Sequence, residues 1–144
     1  MVRINLGCGT KYLEDYLNID KSNIVRLDLL FNLDDPKIKL PIENEDCEEI
    51  LAEHILEHIT NIISLMNECY RILKKGSRMI IKVPQGEGMW ADPTHVRFFS
   101  PLSWRYYCDY PTSEVYGIEC HFRLVSCEYE PNQDGGQLIV VLEK

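Results

Sequence analysis

The opening residues constrain this chain more than any other stretch. An alternating apolar segment, "VRINL" (2–6), reads as a strand and stops at "GCGT", where two glycines permit backbone angles and close approaches that other residues resist. A second short strand, "YLNID" (16–20), follows after only nine residues, 7–15. A parallel crossover with a helix needs roughly 10 to 12. The first helix must therefore be very short or missing.

Further along, "NIVRLDLL" (23–30) alternates as a third strand and carries Asp28 toward its far end. After the polar, Pro-bracketed link "NLDDPKIKLPIENEDC", the segment "EEILAEHI" places Ile50, Leu51 and Ala52 in a short buried strand. Apolar residues at Ile59, Ile62, Ile63, Met66, Cys69, Ile72 and Leu73 predict a helix over 59–75, with Lys74 and Lys75 at the negative end of its dipole and Gly76 as the stop. "RMIIKVP" (78–84) is a strand closed by Pro84, and Ser100-Pro101 opens a short helix through about Cys108. "HFRLVSCEYE" and "QLIVVLEK", joined by the turn-rich "PNQDGG", form an antiparallel hairpin. This order predicts the α/β class: a Rossmann-like open twisted sheet, mostly parallel, with an antiparallel C-terminal hairpin strand. At 144 residues and 45% hydrophobic content, residues 1–144 are expected to form a single domain.

Charge narrows the function classes. With 15 basic against 23 acidic residues, a net −8, a general nucleic-acid or anionic-membrane binder is disfavoured. No run of eighteen apolar residues and no signal-peptide h-region is present, so a cytoplasmic protein is expected. The six cysteines show no C-x-x-C spacing and are expected as reduced, buried thiols.

In open α/β sheets ligands bind beyond the carboxyl ends of the strands, where "LGCG" sits, as a turn expected to donate backbone N–H groups. A dinucleotide fingerprint fails, because Tyr12 stands where G-x-G-x-x-G wants its third glycine. Taken in order, however, "INLGCGT", "NID", "RLDLL", "LPIENEDCEEILAEHILEHI" and "RILKKGSRMIIKVP" resemble the class I S-adenosylmethionine-dependent methyltransferases, of the small type 11-like kind, over residues 3–84. The resemblance implies S-adenosylmethionine as cofactor, with its methionine part on Gly7, Cys8 and Gly9, its ribose on Asp20, and its adenine on Asp28 and Leu29. Two departures accompany it: Lys11 replaces the third glycine of G-x-G-x-G, and the first helix region is shortened, leaving a more open cofactor pocket.

Methyl transfer is an in-line displacement that needs a base only for an unactivated acceptor. In "ADPTHVRFFSPLSW", Asp92, His95 and Arg97 can line one pocket, with Trp90, Phe98, Phe99 and Trp104 as apolar walls. His95 is the candidate base. The alternative is that Asp92 caps the Pro93 turn and His95 satisfies a backbone carbonyl. The expected acceptor is a small molecule, sugar or glycan related; the competing function is a cofactor-binding domain that is catalytically silent or depends on a partner. Oligomeric state is left open.

"AEHILEH" (52–58) also spells the H-x-x-E-H of inverted zinc proteases through His54, Glu57 and His58. Because Ala52 and Glu53 end the fourth strand, the two histidines should not share a continuous helical turn, and no metal is expected. Glu53 and His54 are instead expected as a cofactor wall near the sulfonium.

Overall fold

In the computed structural model, which describes residues 1–144, seven strands form one sheet in the order β3-β2-β1-β4-β5-β7-β6. The strands are β1 (Val2–Leu6), β2 (Leu17–Asp20), β3 (Leu29–Leu30), β4 (Cys47–Glu53), β5 (Leu73–Pro84), β6 (Arg123–Glu130) and β7 (Gln137–Glu143). The first five pair in parallel, and β7 runs antiparallel between β5 and β6. The expected mostly parallel sheet with its antiparallel hairpin is thus borne out.

Register sorts the strand residues into two faces. The rows Ile4–Ile50–Met79–Leu142 and Leu6–Ala52–Ile81–Val140 lie side by side across four strands, and every member is completely buried. Against them packs α1 (Ile62–Ile72), whose Ile62, Leu65, Met66, Cys69 and Ile72 recur at helical spacing and join the same core. Leu33, Ile38 and Leu40 from the link before β4, and Phe99, Trp104 and Phe122 from the segment before β6, complete it. Trp104 lies flat on Phe99, with ring centroids 4.9 Å apart.

The opposite face has no helix over it. Neither residues 7–16 nor 21–28 form one, as the nine-residue gap implied for the first crossover. Half-buried Leu51, Ile80 and Val141 run along the centre of this face. A charged row, Arg3–Glu49–Arg78–Glu143–Arg123, borders them in register, and alternating signs make such a row favourable.

Three expected elements change. The third strand shrinks to Leu29–Leu30, because only those residues reach register with Ile19 and Asp20. Preceding residues turn away to let the Asp28 carboxylate accept the Asn18 N–H at 2.8 Å. The helix expected over 59–75 becomes a one-turn 3-10 segment, Leu56–His58, followed by α1 ending at Ile72. It stops early because Leu73 already pairs with Cys47, and Gly76 N–H donates to the Lys144 carbonyl at 2.7 Å. The helix after Ser100 is a 3-10 helix, Pro101–Tyr107, with a reciprocal Ser100/Ser103 capping box.

Glu68 anchors the link to α1. It is 5% exposed; one oxygen accepts the Leu40 N–H, and both are gripped by the Arg71 guanidinium, which also donates to the Ile42 carbonyl.

All six cysteines are free thiols, four of them buried. Burial pushes Cys47 up to about 11 and Cys120 up to about 12. At pH 8 the Cys47 thiolate fraction would then be about one in a thousand, before burial hinders access. In a labelling time course at pH 8, Cys8, Cys47, Cys69 and Cys120 are expected to react only at the rate of unfolding, and rapid reaction to be confined to half-buried Cys108 and Cys127. A third rapidly labelled thiol would contradict this packing.

Candidate active site

Beyond the carboxyl ends of β1, β2 and β4 lies a hollow of about 360 Å³. Gly7 and Asp20 line it where β1 and β2 end, Phe31, Asn32, Leu33 and Asp34 where β3 ends, and His54, Ile55, His58 and Ile59 after β4; Thr94 closes it from the loop after β5. Lys21, just after β2, completes the lining, so the carboxyl ends of the strands, the loops after them and the 3-10 turn after β4 together make the site.

The glycine turn provides room rather than donors. Gly7 has φ +61°, and a Cβ there would overlap the Ile55 side chain; at Gly9, φ +49°, a Cβ would meet nothing within 4 Å. The Cys8 N–H is spent on the Ile19 carbonyl at 3.0 Å, and the Gly9 N–H on Asp20 Oδ2 at 2.9 Å. These two amides, expected to face a ligand, instead tie the turn to β2. The Cys8 thiol turns inward, 3.7 Å from the Arg26 carbonyl. Asp20 also accepts the Ser22 N–H on Oδ1 at 2.9 Å. A carboxylate has about four acceptor sites, so two remain for a ligand.

Other expected residues divide. Asp28 stands before β3, with its carboxylate held by the Asn18 N–H, the Asn18 amide and the Tyr12 hydroxyl, and neither it nor Leu29 lines the hollow. Hydrogen bonds from Asn18 and Tyr12 hold the Asp28 carboxyl below its usual range. Because β3 is so short, the chain reaches the strand end only at Phe31, whose N–H donates to the Asp20 carbonyl at 2.8 Å. Glu53 points to the bare face, where Lys82 at 2.7 Å and Lys11 pair with it. Burial alone would raise the Glu53 pKa, but the two ammonium groups outweigh it and lower it. His54 does line the hollow, at φ +53°. Its imidazole lies 3.5 Å from Glu57 Oε1 and 2.9 Å from Gln137 Oε1.

His95 is buried behind the wall, its side chain 7% exposed. Nδ1 is 3.0 Å from the Met89 carbonyl, and the ring stands edge-on to His58 with centroids 4.8 Å apart. Asp92 Oδ1 accepts the Thr94 N–H and hydroxyl at 2.8 and 2.6 Å. The capping and carbonyl-satisfying contacts anticipated for Asp92 and His95 are therefore present. Arg97 is used structurally, donating to the Ile59 and Thr60 carbonyls. Of the expected apolar walls, Trp90 and Phe98 are exposed and tilted against each other with ring centroids 4.0 Å apart.

Sequence reasoning missed Phe31 to Asp34 and Thr94. The polar "FNLDD" reads as a linker, and only the position of β3 brings it to the site. Asp34 also receives the Asn61 N–H at 2.7 Å at the start of α1, so one carboxylate both lines the hollow and fixes the helix entry. Burial opposes ionisation of Asp34, but the bonds from Asn61 and Thr60 hold its pKa below the usual range.

An open, mostly parallel sheet with a late antiparallel strand, and a glycine turn facing an acid at the end of β2, define a class I methyltransferase fold. The family model described as "Methyltransferase domain" matches residues 4–81, more than half of the chain, and the chain belongs to that family. It is an S-adenosylmethionine-dependent methyltransferase. No curated protein sequence matches it. Among solved structures it is similar to an S-adenosylmethionine-dependent methyltransferase from Archaeoglobus fulgidus, with TM-score 0.73 and 14% identity over 99% of this chain and 85% of that one. It is also similar to the 1,6-didemethyltoxoflavin-N1-methyltransferase of Burkholderia thailandensis, solved with 1,6-didemethyltoxoflavin and S-adenosylhomocysteine, with TM-score 0.69 and 13% identity over 99% and 70%. A third similar structure is a Haloferax volcanii complex containing the Trm112 methyltransferase activator, with TM-score 0.67 and 14% identity over 98% and 81%. At these identities the likeness concerns the fold.

The residues present fit the cofactor. Two free acceptor sites on Asp20 and the Phe31 ring suit a cationic nucleoside, and in the lining the carboxylates of Asp20 and Asp34 outnumber the one ammonium group, of Lys21.

Proposed function

We propose that the chain methylates a hydroxyl of a small molecule, of the sugar or glycan-related class, in the cytoplasm, where free thiols such as its six persist. The observation carrying this reading is that Thr94 and His58, hydrogen-bonded at 3.1 Å, border the same hollow as Gly7 and Asp20. Cofactor and acceptor loop thereby share one space.

Gly7 and Gly9 make room for the methionine part, with Cys8 contributing backbone only, and Asp20 accepts from the ribose hydroxyls. Phe31 to Asp34 take the adenine end in place of Asp28 and Leu29. His54 forms the wall beside the sulfonium, whereas Glu53, turned to the other face, has no part in it. Bound S-adenosylmethionine would supply the methyl group, its carbon–sulfur electron pair staying on sulfur as the acceptor oxygen bonds the carbon and gives up its proton. The chain orients that oxygen in line and gives the proton a polar exit among His58, His95 and Asp92. His95 acts there from behind His58, not by direct contact with the acceptor.

A second reading, activity that depends on a partner protein, is favoured by the bare sheet face, whose half-buried Leu51, Ile80 and Val141 lack a covering layer.

Both readings are tested by calorimetric titration with S-adenosylhomocysteine, followed by turnover with a panel of sugar alcohols and glycosides. Binding and methylated product are expected, with kcat reduced about 100-fold in His95→Ala. Binding without product from any acceptor would support partner dependence or a silent domain. Absence of binding would overturn both.

A further inference from the structure

We infer that Glu57, His58 and His95 bind one divalent transition-metal ion of the zinc type at the acceptor end of the hollow. One potential ligand atom from each residue lies within 4.8 Å of those of the other two. The residues come from the 3-10 turn after β4 and the loop after β5. Backbone bonds clamp these segments together: the Glu57 carbonyl accepts the N–H groups of both Val96, at 2.9 Å, and Arg97, at 3.2 Å.

Glu57 gives an independent reason to place a cation here. Its side chain is 2% exposed, yet Oε2 has no hydrogen-bond partner. Its other oxygen lies 3.5 Å from His54 Nδ1 and 4.0 Å from His95 Nε2, too far for good hydrogen bonds. A buried carboxylate in this condition needs a cation. Arg97 is committed to two backbone carbonyls and Lys11 and Lys82 to Glu53, which leaves the His54 imidazole, 3.5 Å from Oε1 and not bonded to Oε2, as the nearest side chain that can carry positive charge.

Hydrogen positions on the two imidazoles follow from their partners. The Met89 carbonyl can only accept, so His95 carries a hydrogen on Nδ1, and Nε2 is the atom turned toward Glu57 Oε1, at 4.0 Å, and Asp92 Oδ2, at 3.6 Å. For His58, the Thr94 hydroxyl donates to Asp92 and so accepts from Nδ1–H, leaving Nε2 without a partner. Outer bonds of this kind are what fix the tautomer and orientation of metal-binding histidines.

Two imidazoles and one carboxylate form a catalytic zinc donor set with an open fourth position, whereas magnesium and calcium prefer oxygen ligands. Metal–ligand bonds of about 2.0 to 2.2 Å require the donors to draw in by roughly an ångström. Asp92 Oδ2 or an acceptor oxygen can take the fourth position. An acceptor hydroxyl there would ionise more readily, its proton leaving to Asp92 of the same polar exit while His58 and His95 serve as ligands. That last step rests on the methyl-transfer reading; metal binding does not. The set takes Glu57 and His58 from "HILEH" but replaces His54 with His95, revising the expectation of no metal.

The test uses the full chain stripped with a chelator, titrated with zinc chloride by calorimetry and with cobalt(II) chloride by absorption. One ion per chain is expected, with visible cobalt bands and no thiolate-to-cobalt charge-transfer band. His95→Ala and His58→Ala should each weaken zinc at least about 10- to 100-fold while retaining a folded circular-dichroism spectrum, and His121→Ala should change nothing. Should Glu57→Gln fail to fold, the two histidine variants decide. No zinc binding, a thiolate band, or undiminished affinity in His95→Ala would overturn the site. A separate titration of the chain with S-adenosylhomocysteine distinguishes the two claims: a chain that binds S-adenosylhomocysteine but fails to bind zinc when zinc is added defeats the metal site alone, and one that binds zinc but not S-adenosylhomocysteine defeats the methyltransferase reading alone.

Discussion

Asp20→Ala is expected to weaken S-adenosylhomocysteine binding by about 100-fold or more while leaving the sheet folded. The wild-type carboxylate accepts the Gly9 N–H on one oxygen and the Ser22 N–H on the other, both at 2.9 Å, which holds it between the glycine turn and the end of β2. Two acceptor sites then face the hollow without any rearrangement on binding. Each hydrogen bond to a charged group contributes about 1.5 to 3 kcal/mol, and about 1.4 kcal/mol is a factor of ten. Two ribose bonds therefore account for the 100-fold, and loss of the anchored turn adds to it. Asp20→Asn is expected to fall between wild type and alanine, since one carbonyl oxygen remains and an amide N–H would oppose a backbone N–H. Calorimetry with S-adenosylhomocysteine measures all three proteins; an unaltered affinity in Asp20→Ala would remove Asp20 from the binding site.

Gly7→Ala should lower stability by about 3 kcal/mol, combining a left-handed backbone cost of roughly 1 to 2 kcal/mol with a similar cost for overpacking. For a chain of this size that corresponds to a melting temperature about 10 °C lower. The overpacking arises because an added Cβ would enter the space of the Ile55 side chain, whereas Gly9→Ala meets no neighbour and carries only the backbone cost. A double-mutant cycle separates the contributions: Ile55→Ala should relieve the clash in Gly7→Ala but not the backbone strain. Additive losses in the cycle would show that Gly7 and Ile55 do not meet.

Periodicity and turn chemistry were enough to read the succession of strands along the chain, α1 and the terminal hairpin, because those elements carry their burial pattern locally. Register was not readable. "NIVRLDLL" alternates along its whole length, but only Leu29 and Leu30 pair, so Asp28 falls short of the site and Phe31 to Asp34 take the place expected for it. Strand alternation put Glu53 and His54 on opposite faces, and only the latter reaches the hollow. His58 and Thr94 meet across 36 residues of chain, a closure that depends on β5 and the loop beyond it.

The position of β7 has a consequence for how the chain acquires its shape. β5 has β4 on one side, but on the other it waits for β7, residues 137–143, which must arrive before β6 has any partner. The first three strands have no crossover helices to form early and guide their parallel pairing. Folding must then wait on distant encounters, which slows it, and until they occur the apolar edge of β5 is a template for other chains. During synthesis, chaperone occupancy is expected to persist until β7 emerges, and internal truncation of "QLIVVLEK" should send the product to aggregates rather than to a smaller folded sheet.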